Sequence, residues 1–371
     1  MTAVDAAAEV GELDAAVAEQ AGELVERLFG HTIATLEMAT IWLGTRLGLY
    51  DALAAPGTAA EVAQRSGVLE RYVREWLEQQ AIAGLVSVVE PATDPDARTF
   101  GLSAPQRLVL ADASSPFSGG SLALLSGGCG AALPHVLEAW RAGTGMSFGA
   151  YGDDVREGQG LFNKGDYDER LVQDWLPALP EVDALLSRDG ARALDVGCGV
   201  GWSTIALAGA RAGLSAVGVD LDEASVMDAR ANAVDAGLAD RARFEVAASD
   251  ADHGTSAYDV AFFFESLHDM AHPIEALTAV RRALRPDGRV VVMDERAEEE
   301  FAPDGSPLER LLGACSVLHC LPVGLAEPGS AGTGAMFRPS TMRAYAEAAG
   351  FSEVRTAPIE HDFMRFYVLV P

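Results

Sequence analysis

Lysine is all but missing from this sequence: its 371 residues hold one, Lys164. No lysine cluster can therefore fasten the chain to anionic lipid. Positive charge of either kind is short, with 27 Lys and Arg against 55 Asp and Glu and a formal net charge of -28. A field of that sign repels polyphosphate, which argues against nucleic acid as a partner. Cysteine is scarce too. Cys129, Cys198, Cys315 and Cys320 show neither the closely paired spacings of a zinc site nor a secreted disulfide framework, so reduced thiols and no metal are expected. No run approaches the ~18 apolar residues of a spanning helix. Met1–Gln20 is Ala-rich and acidic, unlike a secretion signal with its basic start and apolar stretch. The expectation is a cytoplasmic protein without a membrane partner.

What is present is a globular balance, 49% hydrophobic and 22% charged, over a length suited to about two or three domains. Residues 1–18 offer Ala and Glu but few large apolar side chains, and are expected to form a flexible leader. Leu24, Leu28, Ile33, Leu36, Ile41, Leu43, Leu47, Leu49 and Leu53 then recur at mostly helical intervals. Gly57-Thr58 caps a helix holding Val62 and Ala63. The spacing predicts another over Leu69–Ala81, with Tyr72, Val73, Trp76, Leu77 and Gln80 on one side. Strands are expected at Leu85–Val89 and Thr99–Leu102, so residues 19–112 read as a winged helix. In the helix that would enter a DNA groove, Arg71 and Arg74 are outnumbered by Glu70, Glu75 and Glu78, the wrong sign for phosphates. The expected role is dimerisation or covering a substrate. Residues 113–188 read as a connector, helical through Leu133–Trp140, ending in an aromatic segment with Phe162, Tyr167 and Trp175 that covers a cleft.

From Asp189 onward strands and helices alternate, the pattern of an α/β, Rossmann-like domain over residues 189–371. Strands are expected at Arg192–Val196, Ser215–Val219, Ala242–Val246, Tyr258–Phe264, Gly288–Met293, Glu353–Thr356 and Phe363–Val370. Helices are expected at Trp202–Ala210, Glu223–Ala236, Pro273–Leu284 and Ser340–Ala349. The first strand runs into Asp195-Val196-Gly197-Cys198-Gly199-Val200-Gly201, a glycine turn that lets a ligand approach the backbone. A dinucleotide fingerprint needs a small residue three places after its second glycine; here Trp202 stands there, and Asp195 would sit badly beside a pyrophosphate. An acid at this point suits a cofactor with positive ammonium and sulfonium centres. At the end of the second strand Asp220 can accept the hydroxyls of an adenosine ribose, with Leu221 beside the adenine. Asp250-Ala251, after the third strand, is placed to accept from the adenine amino group.

In these residues and in Leu284-Arg285-Pro286-Asp287-Gly288-Arg289, the C-terminal half resembles the class I S-adenosylmethionine-dependent methyltransferases. The resemblance implies S-adenosyl-L-methionine as cofactor and a seven-stranded sheet ending in a reversed hairpin. Over residues 30–371 the chain is similar to a bacterial small-molecule methyltransferase subfamily with an N-terminal winged helix. Tyr151-Gly152, Gln159-Gly160, Asn163, Trp175-Leu176-Pro177, Glu265–Met270, His319–Gly324 and Ser330–Gly334 carry that similarity. Plant-type O-methyltransferases share the two-domain plan, and their N-terminal domain builds a homodimer.

Methyl transfer is an in-line displacement, so positioning does most of the work. A hydroxyl acceptor must also lose a proton, and His268, just past the fourth strand, is the candidate base, with Asp269 to orient its ring. The alternative is that His268 only lines the pocket. His319 is a rival base or a packed core histidine, and Glu265 is expected to touch the cofactor. The insertion 301–337 mixes prolines with Leu311, Leu312, Val317 and Leu318, which suits a hydrophobic or aromatic, natural-product-like acceptor of secondary metabolism. Oxygen is the favoured acceptor atom, with nitrogen and carbon open. Two other readings stand beside this one: a cofactor-retaining enzyme of rearrangement or cyclisation, and a cofactor-sensing DNA regulator.

Overall fold

A computed structural model describes residues 15–113, 115 and 117–371. The expected leader lies outside the described residues as far as residue 14; residues 15–18 open the first helix. The chain divides into two compact units between Asp112 and Ala113.

The first unit holds helices α1 (Ala15–Arg46), α2 (Leu49–Ala52), α3 (Ala59–Ser66) and α4 (Glu70–Ile82), strands β1 (Ser87–Glu90) and β2 (Thr99–Gly101), and helix α5 (Ala104–Leu110). Thr58 and Glu61 form a reciprocal capping box that starts α3. Leu49, Leu53, Val62, Val73, Trp76, Leu77 and Phe100 make its core. Gln80 is a buried polar hub: it accepts from Tyr50 Oη at 2.7 Å and donates to Thr40 Oγ1 at 3.0 Å. Tyr72, expected on the packed side of α4, is 71% exposed. It precedes the buried stripe Val73, Trp76, Leu77, Gln80 by one residue, about 100° round the helix. On α1, Leu24, Val25, Leu28, Phe29, Ile33, Leu36 and Leu43 are all exposed. β1 and β2 pair antiparallel as the wing.

The second unit opens with α6 (Gly120–Ala142) and α7 (Asp153–Asp166), which continues as a π-helical turn, Tyr167–Trp175. α6 starts well before the expected Leu133, running through Gly127-Gly128-Cys129-Gly130. Close packing is the reason: a side chain on Gly128 would stand 2.5 Å from a Val155 methyl of α7. At 23 residues and mean hydropathy 1.3, α6 is also long and apolar enough to cross a membrane by composition, which the count of apolar residues overlooked. Its small residues Ala123, Gly128, Ala132 and Ala139 face protein.

Next come α8 (Pro180–Leu186), β3 (Arg192–Val196), α9 (Trp202–Ala210), β4 (Ser215–Asp220), α10 (Glu223–Asp235), β5 (Ala242–Val246), β6 (Tyr258–Phe264), α11 (Pro273–Ala283) and β7 (Leu284–Glu295). The chain ends in α12 (Pro307–Cys315), a π-helical turn Ser316–Cys320, α13 (Leu321–Gly324), α14 (Pro339–Ala348), β8 (Glu353–Thr356) and β9 (Met364–Val370). Seven strands form one sheet in the order β5-β4-β3-β6-β7-β9-β8. β3 to β7 run parallel, and β9 pairs antiparallel with both β7 and β8. Every residue of β6 is buried, as expected of a central parallel strand covered on both faces. Ala193, Phe262, Phe264 and Phe366 pack on one face of the sheet and Leu194, Phe263, Val292 and Tyr367 on the other. β7 starts four residues before the expected Gly288 and runs two beyond Met293, and that second extension carries Asp294 and Glu295.

Candidate active site

β3 lies between β4 and β6, so the connections leaving these strands diverge and open a crevice beyond its carboxyl end. There the chain turns through Gly197, Gly199 and Gly201 with φ of 77°, 52° and 86°, a left-handed backbone suited to glycine. A side chain on Gly201 would meet the Phe244 ring at 2.7 Å, and one on Gly197 would meet Ser266 at 2.5 Å. Gly199 is different: no heavy atom lies within 4 Å of a Cβ built there. The turn is pinned from below, because Gly197 N and Cys198 N donate to Val219 O at 2.8 and 3.1 Å.

Asp195 is fully buried beneath the turn. Its Oδ2 accepts from Ser203 Oγ and Thr204 Oγ1, both at 2.6 Å, while Oδ1 is buried with no partner. Burial, opposed by the two hydroxyls, pushes its pKa up to about 6. Asp220 accepts from Gly199 N at 2.8 Å and Asp222 N at 2.9 Å. Its pKa too is raised by burial.

Residues lining the cleft include Gly197, Cys198, Gly199, Gly201, Trp202 and Glu265, and from the other side Phe148, Gln159, Asn163 and Tyr167. Asp195, Asp220, Leu221, Asp250 and Ala251 are not among them. Asp195 and Asp220 stand against the turn itself, Leu221 is 64% exposed, Asp250 is exposed and Ala251 half-buried. Glu265, with φ 51°, donates its N–H to Met293 O at 2.7 Å and its carboxylate accepts from Asn163 Nδ2.

His268 occupies a one-turn 3₁₀ helix, Leu267–Asp269, and is 2% exposed. Its Nδ1 faces Asp294 Oδ1 at 2.8 Å and Glu295 Oε2 at 2.9 Å; its Nε2 faces Asp269 Oδ1 at 3.1 Å. Burial works against the charged ring, but Glu295, Asp269 and Asp294 outweigh it and hold its pKa well above the ordinary value. Burial in turn raises Glu295, whereas His268 overcomes burial at Asp294 and lowers it. Asp269, expected to orient the ring, stands beside it at Nε2, and Asp294 and Glu295 hold Nδ1 on the opposite side. β6 and β7 are parallel neighbours with Phe264 level with Met293, so the residues following Met293 arrive beside His268. A separation of 26 residues hid that pair. The signal available was two adjacent acids closing the apolar run Val290–Met293.

His319 is buried on the Ser316–Cys320 turn, between the rings of Phe148 and Tyr151 at centroid distances of 5.6 and 4.6 Å. Its Nε2 has no partner, and burial lowers its pKa. Tyr151 Oη donates to Leu318 O at 2.8 Å, and Gly334 N donates to His268 O at 3.2 Å. The insertion is thereby fastened to both histidines' surroundings.

Residues 194–290 match the family model for a methyltransferase domain, and residues 34–111 match that for an Rv2258c-like winged HTH domain. A ubiquinone biosynthesis O-methyltransferase of Marinobacter nauticus is 32% identical over 178 residues, 47% of this chain and 68% of that protein. This chain belongs to the class I S-adenosylmethionine-dependent methyltransferases. In fold, this methyltransferase is similar to mitomycin 7-O-methyltransferase MmcR, at TM-score 0.66 and 20% identity over 96% of this chain and all of that one. It is likewise similar to PigF with SAH, at TM-score 0.68 and 18% identity over 97% and 100%. Its cofactor is S-adenosylmethionine. The residues present fit that group on two counts: the orphaned Asp195 Oδ1, and the open cradle above Gly199, which any side chain would begin to fill.

Proposed function

We propose that this methyltransferase acts on a hydroxyl oxygen of a small, apolar, aromatic acceptor. The observation that carries the reading is His268, a buried imidazole whose Nδ1 is held by Asp294 and Glu295. These carboxylates favour the charged ring, so the base is its neutral form: Nε2 takes the acceptor's proton, and the imidazolium that results is the state they stabilise. Asp269, whose side chain is 21% exposed, yields Nε2 to the acceptor hydroxyl. Phe148, Tyr151 and His319 form the aromatic wall on which the acceptor ring packs, and the unpartnered Nε2 of His319 offers it one polar contact.

The Gly197–Gly201 turn, Asp195 behind it, Asp220 and Glu265 are the residues we assign to the cofactor, with Leu221, Asp250 and Ala251 toward the adenine. S-adenosylmethionine supplies an activated methyl group there. The O-methyltransferase name of the Marinobacter relative supports oxygen as the acceptor atom. In the winged helix, Arg71 pairs with Glu75, Arg74 with Glu70 and Asp96, and Arg98 with Glu78, leaving these cations committed to carboxylates rather than to phosphate. The apolar face of α1 suits a second copy of the chain, which sedentation-independent mass measurement in solution, such as light scattering, tests.

A mass-spectrometric assay over a panel of phenols, enols, amines and thiols tests the function. The expected result is S-adenosylhomocysteine formed in step with an O-methylated aromatic product. Product without S-adenosylhomocysteine would favour rearrangement or cyclisation, and methylated amines alone would overturn the oxygen assignment.

A further inference from the structure

We propose that the far side of the His268 ring is a zinc site, made by His268 Nε2, Asp269 Oδ1 and Cys320 Sγ, and that zinc bound there inhibits methyl transfer. One donor atom of each residue lies within 4.8 Å of the others, and Nε2 is the ring nitrogen that faces Asp269 Oδ1. They come from two elements, the 3₁₀ turn Leu267–Asp269 and the π-helical turn Ser316–Cys320, which is why cysteine spacing in the sequence was silent. Nitrogen, carboxylate oxygen and thiolate are the donor types zinc takes, at ~2.0–2.3 Å. Tetrahedral angles then set nitrogen and oxygen about 3.4 Å apart. His268 Nε2 and Asp269 Oδ1 stand at 3.1 Å, so a shift of a few tenths of an ångström completes the pair.

Three further observations point to a ligand. Asp269 Oδ1 is buried and makes no hydrogen bond despite its closeness to the ring. His268 and Cys320 are themselves more than nine-tenths buried. Finally, Nδ1 of the same ring is held by Asp294 at 2.8 Å, the carboxylate–histidine support that fixes a metal-binding imidazole in its tautomer. The other buried cluster among the described residues, His268 with Asp294 and Glu295, uses the nitrogen already held by those carboxylates. Three protein donors leave a fourth position for water. On binding, the Cys320 thiol and the His268 ring at Nε2 each release a proton to solvent, and the thiolate and the freed ring nitrogen bond to the metal. Because the ion occupies Nε2, the ring can no longer take a proton from the acceptor. Only this inhibition rests on His268 being the base; the metal site does not.

The experiment titrates chelator-treated protein with zinc against a chromophoric competitor. About one equivalent per chain is expected, bound at micromolar affinity or tighter. Cobalt in place of zinc should give a thiolate charge-transfer band in the near ultraviolet. Cys320→Ser should abolish that band and weaken zinc at least about tenfold, and Asp269→Asn should weaken zinc while keeping the band. Absence of stoichiometric uptake, or uptake indifferent to both substitutions, overturns the site. In the activity arm, zinc should stop turnover of the unmodified protein and a chelator should restore it, while Cys320→Ser turns over and resists zinc. Stoichiometric, Cys320-dependent binding with turnover unimpaired would uphold the metal site and overturn His268 as the base.

Discussion

Two buried acid nests lie a few residues from the carboxyl ends of β3 and β6, and they are built in opposite ways. Around Asp195 the partners are local: Ser203 and Thr204 come from the first turn of the helix that the glycine turn leads into. Around His268 they are remote, Asp294 and Glu295 from the next strand of the sheet and Cys320 from the insertion. A local nest depends on one strand-turn-helix unit. A remote nest depends on strand register, since a one-residue slip of β7 against β6 would turn Asp294 to the other face. The first is suited to a fixed cradle and the second to a group whose proton must be controlled.

The sharpest way to break this division of labour is His268→Ala. Turnover should fall by roughly 100- to 10,000-fold, while the cofactor dissociation constant from calorimetry changes by less than about twofold. Equal losses in both would merge the two nests into one. The complementary change is Gly201→Ala, which puts a methyl 2.7 Å from the Phe244 ring at φ 86°. Strain and overpacking should cost on the order of 2–5 kcal/mol, read from the urea midpoint, with cofactor affinity lost alongside; an unshifted midpoint would mean the cradle is not preformed.

These two sites also differed in how plainly they could be read. Asp195 to Trp202 is one continuous stretch, and every strand from β3 to β9 was located within a few residues because apolar runs bounded by glycine, proline and charge mark them. Only half of the nest around His268 is legible in the sequence. His268 and Asp269 adjoin, but Asp294 and Cys320 reach the ring only through the pairing of β6 with β7 and the return of the insertion, neither of which leaves a periodic trace. The start of α6 is hidden for a related reason: glycines that look like a break are, against Val155, the condition for close helix packing. Asn163 stood out as a motif residue, yet nothing adjacent in sequence pointed to Glu265 as its partner.

A smaller effect sharpens the cradle's half of the contrast. Asp195 titrates near pH 6 because burial raises it, and a positively charged cofactor favours its ionised form. Affinity should therefore be highest above that value and fall as pH drops through it, approaching about tenfold per unit; calorimetry giving a flat line from pH 8 to 5 would detach Asp195 from binding. The smallest expected effect is Tyr151→Phe, which removes the hydrogen bond to Leu318 O. A loss of about 0.5–1.5 kcal/mol in stability and a raised acceptor KM with little change in kcat are expected, whereas a fall in kcat alone would move Tyr151 into the second nest.

The lone lysine has a practical bearing. Lys164 Nζ stands 4.4 Å from the centre of the Trp202 ring, and Trp202 lines the cleft. Amine-directed coupling thus has a single side chain to find in the whole sequence, at the rim of the cavity. A dye attached there sits beside an indole, and its emission becomes a gauge of occupancy without any engineered cysteine.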